Sequence, residues 1–588
     1  IERGFAESDV VVESEYSVPI TSPVPVETHR VLTYIDENDC LVVRTATGTP
    51  HLVRRTLAMI LDLPFNHIRV VRPNVGGDFG TKQGIVLEDL CALLTLSTHR
   101  PVQLIYSSED EFRAGRVQQR HIIRMKTGVK RDGTMLAQQM LVLASTGAYA
   151  THPMLRANPP SPLSLYVCPN KRFAIDVLYT NTPSSITTYA PEPELFALEC
   201  HMNEVAQRLG VDALALRRKN WRGVDSSGTQ GQNGQHQSEN GDNGGNGDSL
   251  NAYNQAIEVK SRERGDVKAT NSKSVRRGTG LAFARYDDNA HEVSGATIML
   301  NEGGTFDMFV AVADDTSKTL LAQIAAETLG VSVDSITLHT MDTSIIPFSA
   351  ATDASQLLVS AGNAVREAAT RVRQTLLTYV SESGLLKAQA NNLSIEDGMI
   401  VVREQGDQKL MLQQASEHII IVQGKQVIAS ATGKGEQQSS FAVHKAEVEV
   451  DTAMGIVRVL RVISAVDGGR ILNPLLAEGQ VQGAISRAVN RAMSEEMVYD
   501  KQGQPLIVDV SSCHLYHASD MPDIQVVLIE SSGAKGPFGA KSVVEVAELG
   551  VASAITNAVA NALGVQIRQL PLTPERVLRT IYASEARQ

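Results

Sequence analysis

Cysteine is scarce and scattered in this sequence. Its five residues, Cys40, Cys91, Cys168, Cys200 and Cys513, are odd in number and form no Cys-x-x-Cys pair. That argues against a secreted disulfide framework, a structural zinc site or an iron–sulfur cluster held by this chain. Aromatic side chains are few, 4% with a single Trp, too sparse for a platform on which unpaired bases stack. Basic charge is short as well: 54 Lys and Arg stand against 65 Asp and Glu, a net charge of −11, the wrong sign for an electrostatic nucleic-acid binder. No apolar run reaches the ~18 residues of a membrane-spanning helix. The most apolar late stretch, Leu549 to Ile567, is interrupted by Ser553, Thr556, Asn557 and Asn561. His-Glu-x-x-His, Gly-x-Ser-x-Gly and the Gly-Lys-Ser of a phosphate-binding loop are all missing, so zincin, hydrolase and nucleotide-loop chemistries lack an anchor. These absences leave a soluble, acidic protein, expected in the cytoplasm, with neither nucleic acid nor membrane as partner.

The 588 residues correspond to about four domain-sized blocks at ~150 residues each. One segment stands apart: Ser226 to Asn251 is almost wholly Gly, Asn, Gln, Ser and Asp. It has too little apolar surface to offset its ordering entropy, and reads as a solvated, dispensable linker. Polar sequence continues from Lys260 to Arg277. The expected division is a first domain over 1–224, a disordered linker and polar connection over 225–275, and a second domain over 276–588. Both domains mix strands with helices. Helical spacing covers His51–Leu61, Met202–Leu209, Asp212–Asn220, Thr319–Leu329 and Ala364–Tyr379, and Pro474 opens a long helix. Turn signals at Asp132-Gly133 and Met454-Gly455 mark hairpins. Strands and helices alternate without a βαβ rhythm, which favours an α+β architecture.

Three segments carry candidate chemistry. Asn74-Val75-Gly76-Gly77-Asp78-Phe79-Gly80-Thr81-Lys82 follows a short strand, and its glycines allow close backbone approach to an anionic ligand. Gly533 to Ser542 interleaves glycines with Lys535 and Lys541, and Glu545 follows within reach as a base. The alternative for that loop is two solvated lysines. Asp467 to Pro474 feeds the long helix, and a buried Asp467–Arg470 pair is expected to fix it. Cys513-His514-Leu515-Tyr516-His517 reads as a surface strand, and Glu194 with Glu199 as a solvated helix face.

Taken in order, these segments resemble the large subunit of the molybdenum hydroxylases, the xanthine dehydrogenase and aldehyde oxidase family. The match rests on PHLVRRTLAMILDLP, VRPNVGGDFGTK, RPVQLIYSSEDEF, NEVAQRLGVDALALRRKN, LAQIAAETLGV with AVREAA, and AEVEVDTAMGIVRVLRVISAVDGGRILNPLLAEGQ through GPFGAK and LPLTPERVL. The resemblance implies two large intertwined molybdopterin-binding domains. It also implies a molybdenum–pterin cofactor, with its cytosine dinucleotide form left open, and iron–sulfur clusters and FAD on partner subunits. Such a protein hydroxylates an aldehyde or an N-heterocycle with oxygen from water, a glutamate serving as general base. On this basis Glu545 is the expected catalytic residue. Gly76, Gly77, Phe79, Gly80, Gln480, Phe538, Gly539, Ala540 and Lys541 are expected to bind the cofactor, and no side chain is expected to ligate the metal. The family's small N-terminal hammerhead domain has no counterpart ahead of Ile1, which suggests a fragment or a split subunit.

Several family positions differ. The family's glutamine before Gly-Pro-His is Gly48, and its Arg-Gly-x-Gly gives way to Thr188-Tyr189-Ala190-Pro191. Its Gly-Gln-Gly reads Asp314-Asp315-Thr316, and the Gln-Gly inside the long helix reads Arg487-Ala488. Two glycines beside the glutamate are Ser542 and Val544. These departures support an alternative, a non-catalytic scaffold paralogue of the same fold that has lost the cofactor.

Overall fold

The computed structural model describes residues 1–150, 161–186, 191–222, 253–261, 274–288, 293–312, 315–350, 354–403 and 405–586. The low-complexity segment 226–251 lies outside them, as do Thr188 to Ala190 and Asp314.

Local signals set the element ends. Ser107 Oγ accepts the Asp110 amide at 3.1 Å, and the Asp110 carboxylate accepts the Ser107 amide at 2.9 Å, a reciprocal cap that starts Ser108–Ala114. The helix Pro474–Met493 begins with its proline in the first turn and Asn473 Oδ1 accepting the Leu476 amide at 3.1 Å. Glu192–Leu209 stops at Gly210, whose φ of +71° favours glycine.

Two four-stranded sheets dominate. The first orders Val10–Val18, His121–Val129, Met135–Gly147 and Asn170–Tyr179, and the second Asp523–Glu530, Ile456–Gly469, Gln438–Asp451 and Val275–Asp288. Their apolar faces share one continuous core, through the helices Glu192–Leu209 and Val551–Leu563, that takes Tyr16, Met125 and Phe196 from the first half and Phe283, Val443 and Ile555 from the second. Each such side chain contributes ~1.5–3 kcal/mol when fully buried, so the halves share their largest stabilising term. Glu199 reinforces the join: it accepts from Arg217 at 2.9 Å and from the Phe283 amide at 2.8 Å. The domains are therefore intertwined, as expected, in a mixed α/β architecture.

Two smaller cores flank this centre. One lies under the sheet Ile68–Val71, Leu41–Thr45, Arg30–Ile35, Val102–Ile105 with helices Pro50–Leu61 and Glu88–Thr98. The other joins the sheet Ile336–Thr340, Phe306–Val310, Val293–Leu300, Ile428–Lys434 to helices Asp315–Leu329 and Ala354–Ser383.

Two expectations are corrected. Glu194 and Glu199 do not form a solvated face, since both are fully buried; their helix lies between the first sheet and the helix Val551–Leu563 rather than at the surface. Within the polar connection, residues 253–261 are a helix whose Tyr253 and Ile257 enter the central core. The stretch Val544–Leu563 is long and apolar enough to cross a membrane, but it is mostly buried inside the protein. It breaks at Gly550, where φ is +88°.

Candidate active site

The first glycine turn leaves the strand Ile68–Val71 and passes through Gly77 (φ +98°), Phe79 (φ +49°) and Gly80 (φ +80°), all left-handed. Asp78 organises it. Its Oδ1 accepts the amides of Gly80 at 3.1 Å and Lys82 at 3.0 Å, and its carbonyl accepts the Thr81 amide at 2.8 Å. Desolvation raises the Asp78 carboxyl above its ordinary value, against the opposing pull of the Lys82 amide and Arg72. The other oxygen, Oδ2, comes within 2.2 Å of the place a Cβ would take on Gly48. The loss of a side chain at Gly48 and the presence of Asp78 are thus one steric fact. The exposed Gly76 donates its amide to Glu27 at 2.6 Å, and the same carboxylate holds the buried Lys82 ammonium at 3.0 Å.

The second glycine turn is Gly536–Lys541, with Phe538 (φ +54°) and Gly539 (φ +91°) left-handed. Gly539 accepts the Arg470 amide at 2.7 Å, and the buried Ala540 bridges antiparallel to Gly469. The Phe538 ring lies between two exposed guanidiniums, Arg366 at 4.9 Å and Arg470 at 5.9 Å from its centroid. Lys541 turns inward, its ammonium 2.6 Å from Asp467 Oδ2, and Asp467 also accepts from the Gly469 amide and the Ser531 hydroxyl. Asp467 is therefore paired with Lys541 and not with Arg470. The backbone explains the choice: the Lys541 amide bonds to the Gly468 carbonyl at 2.9 Å, which sets the lysine beside Asp467.

Glu545 opens the five-residue helix Val544–Glu548, half-buried, and its Oε2 accepts the hydroxyl of the buried Ser542. The departure at Ser542 is thus a hydrogen-bond donor to the candidate base. Glu548, at the other end of this turn, is buried between Arg487 and Arg491. The Arg487 Nε is 3.0 Å from Oε1, and Arg491 reaches Oε1 at 2.5 Å and also pairs with Glu192. Burial alone would raise the Glu548 carboxyl, and these two guanidiniums bring it below its ordinary value.

The long helix Pro474–Met493 joins the two turns. Gly479, Gly483 and Arg487 recur at every fourth position and so share a face with Gln480. A Cβ on Gly479 or Gly483 would meet nothing within 4 Å, so this face of the helix is open. Gln480 donates its side-chain amide to Thr316 Oγ1 at 3.1 Å. Arg487 lies over Phe79, its Cζ 5.4 Å from the ring centroid. Phe79, Gln480 and Glu545 are thereby linked through one helix. The Lys541 ammonium is taken up by Asp467. Asp78, Ser542, Arg487, Arg491 and Glu548 were missed as site residues. Arg487 and Arg491, four apart on a helix, with Glu548 three residues after Glu545, form the pattern that could have flagged them.

Residues 1–221 and 253–522 match two families, each described as a molybdopterin cofactor-binding domain. The chain is 30% identical over 602 residues to XdhA of Escherichia coli (strain K12), named for a xanthine dehydrogenase molybdenum-binding subunit, covering 99% of this chain and 78% of that protein. It is 26% identical over 590 residues to the aldehyde oxidoreductase molybdenum-binding subunit PaoC of the same organism, covering 98% and 76%. The structure of quinoline 2-oxidoreductase from Pseudomonas putida 86 superposes with a TM-score of 0.87 at 24% identity, covering 99% of this chain and 77% of that one, a likeness of fold. A flat pterin needs a smooth floor and neutral amide donors. The open helix face at Gly479 and Gly483, with the Gln480 side-chain amide beside it, leaves room for such a group. This chain belongs to the large-subunit family of the molybdopterin-dependent hydroxylases.

Proposed function

We propose that this chain is the molybdenum-binding subunit of a hydroxylase acting on an aldehyde or an N-heterocycle, with the balance R–H + H2O → R–OH + 2H⁺ + 2e⁻. Both substrate classes offer an electrophilic sp² carbon beside a heteroatom. The relatives' names, xanthine dehydrogenase and aldehyde oxidoreductase, support that range. The observation that carries the reading is Glu545, a half-buried carboxylate fixed by Ser542 beside the second glycine turn.

When bound, the molybdenum–pterin centre supplies Lewis-acid activation of water and takes up the substrate's electron pair. Gln480, Gly479, Gly483 and the turns at Gly76–Gly80 and Phe538–Gly539 would hold it. Glu545 takes the water's proton on its carboxylate and, being half-exposed, can pass it on to solvent. Ser542 keeps that carboxylate in one orientation. Electrons would leave through iron–sulfur and flavin cofactors on partner subunits, a route that the relatives' names as molybdenum-binding subunits support. A cytosine dinucleotide form of the pterin and a cytoplasmic location belong to the same reading.

A second reading, a scaffold paralogue without the metal, draws on Asp78 filling the space above Gly48. One experiment separates them. Molybdenum and pterin are assayed in the protein purified with co-expressed partner subunits, and aldehydes and N-heterocycles are tested as substrates with wild type and Glu545→Gln. Stoichiometric molybdenum in both, with turnover down by ~100-fold or more in the variant, is expected of a lost general base. A wild type free of molybdenum and pterin favours the scaffold.

A further inference from the structure

We infer that Arg487 is a positioning residue that clamps the Phe79 turn to the helix carrying Glu545. The inference rests on the reading of Glu545 as the base. The guanidinium uses two features at once. Its edge donates through two nitrogens to the two oxygens of Glu548, one of these bonds being 3.0 Å, and its face covers the Phe79 ring with Cζ 5.4 Å from the centroid. A planar fork with a polarisable face can do both, whereas an ammonium can satisfy only a point contact.

Each element has anchors of its own, Asp78 in the turn and the buried Val546 and Ala547 in the helix, and Arg487 contacts both. The helix Val544–Glu548 has five residues, below the length at which a helix holds its own geometry. Glu545 and Glu548 are three residues apart on it and so share a face. Holding Glu548 therefore limits rotation of the turn that aims Glu545. Phe79 is a non-glycine residue at φ +49° with 47% of its surface exposed, so little besides its own loop restrains the ring. Arg487 ties these two pieces, one from each half of the chain, on the helix that carries Gly479 and Gly483.

Arg491 remains to serve both Glu548, at 2.5 Å, and Glu192, so losing the Arg487 charge leaves one guanidinium for two buried carboxylates. Arg487→Lys keeps the charge and is expected to fold as wild type; Arg487→Met is expected to fold with a lowered melting temperature.

The first arm places an indole at the ring position, Phe79→Trp, in the wild-type, Arg487→Met and Arg487→Lys chains. Trp221 is the sole native tryptophan and sits against Phe283 and Phe441, a constant background. Acrylamide quenching of the new indole, measured well below each variant's melting transition, should rise by about twofold in both variants. The second arm measures kinetics of the molybdenum-loaded complex. With Phe79 in place, both variants should lose kcat by ~10-fold or more while KM moves less than about threefold, as misplacement of a catalytic group does. Unchanged quenching in Arg487→Met, unchanged kcat in a loaded enzyme, or full rescue by Lys would each overturn the clamp. If the wild type proves free of molybdenum, the reading of Glu545 fails, and the quenching arm still decides whether Arg487 holds Phe79.

Discussion

Asp78 and Gly48 occupy a single side-chain volume: Oδ2 of the aspartate stands 2.2 Å from where the glycine's Cβ would be. The carboxylate cannot swing away cheaply, because its other oxygen receives the amides of Gly80 and Lys82. Gly48→Ala should therefore destabilise the protein by ~1–3 kcal/mol, the usual range for overpacking. In an Asp78→Gly background the same substitution should be nearly neutral. Urea denaturation of the four proteins measures the coupling. Equal effects of Gly48→Ala in both backgrounds would show that the positions are independent.

Lys541 and Asp467 form an ion pair almost wholly out of solvent, with side-chain exposures of 7% and 0%. Removing one partner of such a pair leaves a charge stranded in low dielectric, at ~3–5 kcal/mol. Lys541→Met should lower the unfolding free energy by that order, and adding Asp467→Asn should recover a large part of it. If the double variant is no more stable than the single, the lysine's contribution lies in packing and not in charge.

Glu194 should make stability depend on pH. It is fully buried, and among the described residues no other residue donates to either carboxyl oxygen. Desolvation, with added repulsion from Glu192, pushes its pKa up from 4.5 to about 7. Between those values the folded chain keeps a proton that the unfolded chain has released, so stability falls as pH rises through that window. The loss amounts to about 3 kcal/mol once pH passes 7, at ~1.4 kcal/mol per unit. Glu194→Gln removes the ionisation. Its stability relative to wild type should be flat below pH 4.5, climb between pH 5 and 7, and level off above. A difference that does not vary with pH would place the carboxyl in a solvated setting.

Local structure was legible where a short-range physical rule applies. Ser107 and Asp110 are three residues apart and cap each other; Pro474 starts a helix, and Gly210 and Gly330 end two others. Site positions carried by backbone, such as Gly77, Gly80 and Gly539, also stood out, since left-handed conformations select glycine. Long-range electrostatic pairing was not legible. Arg470 lies three residues from Asp467, yet the partner is Lys541, brought in from 74 residues away by strand and turn geometry. Glu199 reads as surface until its helix is buried by sheet and helix neighbours and Arg217 arrives to neutralise it. Arg487 looked like damage to a glutamine motif. Its use became visible only once Phe79 and Glu548, remote in the chain, stood on either side of it.

The first sheet is closed by residues from far down the chain. Ser17 exchanges backbone hydrogen bonds with Arg568 and Leu570 at 2.9 and 3.1 Å, and Arg568 holds Glu204, which also accepts from the buried Tyr16 at 2.5 Å. On the ribosome, then, the first sheet, whose last strand ends at Tyr179, waits through the synthesis of about 390 further residues for the segment that bridges its edge. Until that segment emerges, the edge strand Val10–Val18 keeps unpaired backbone at Ser17, open to pairing with another chain.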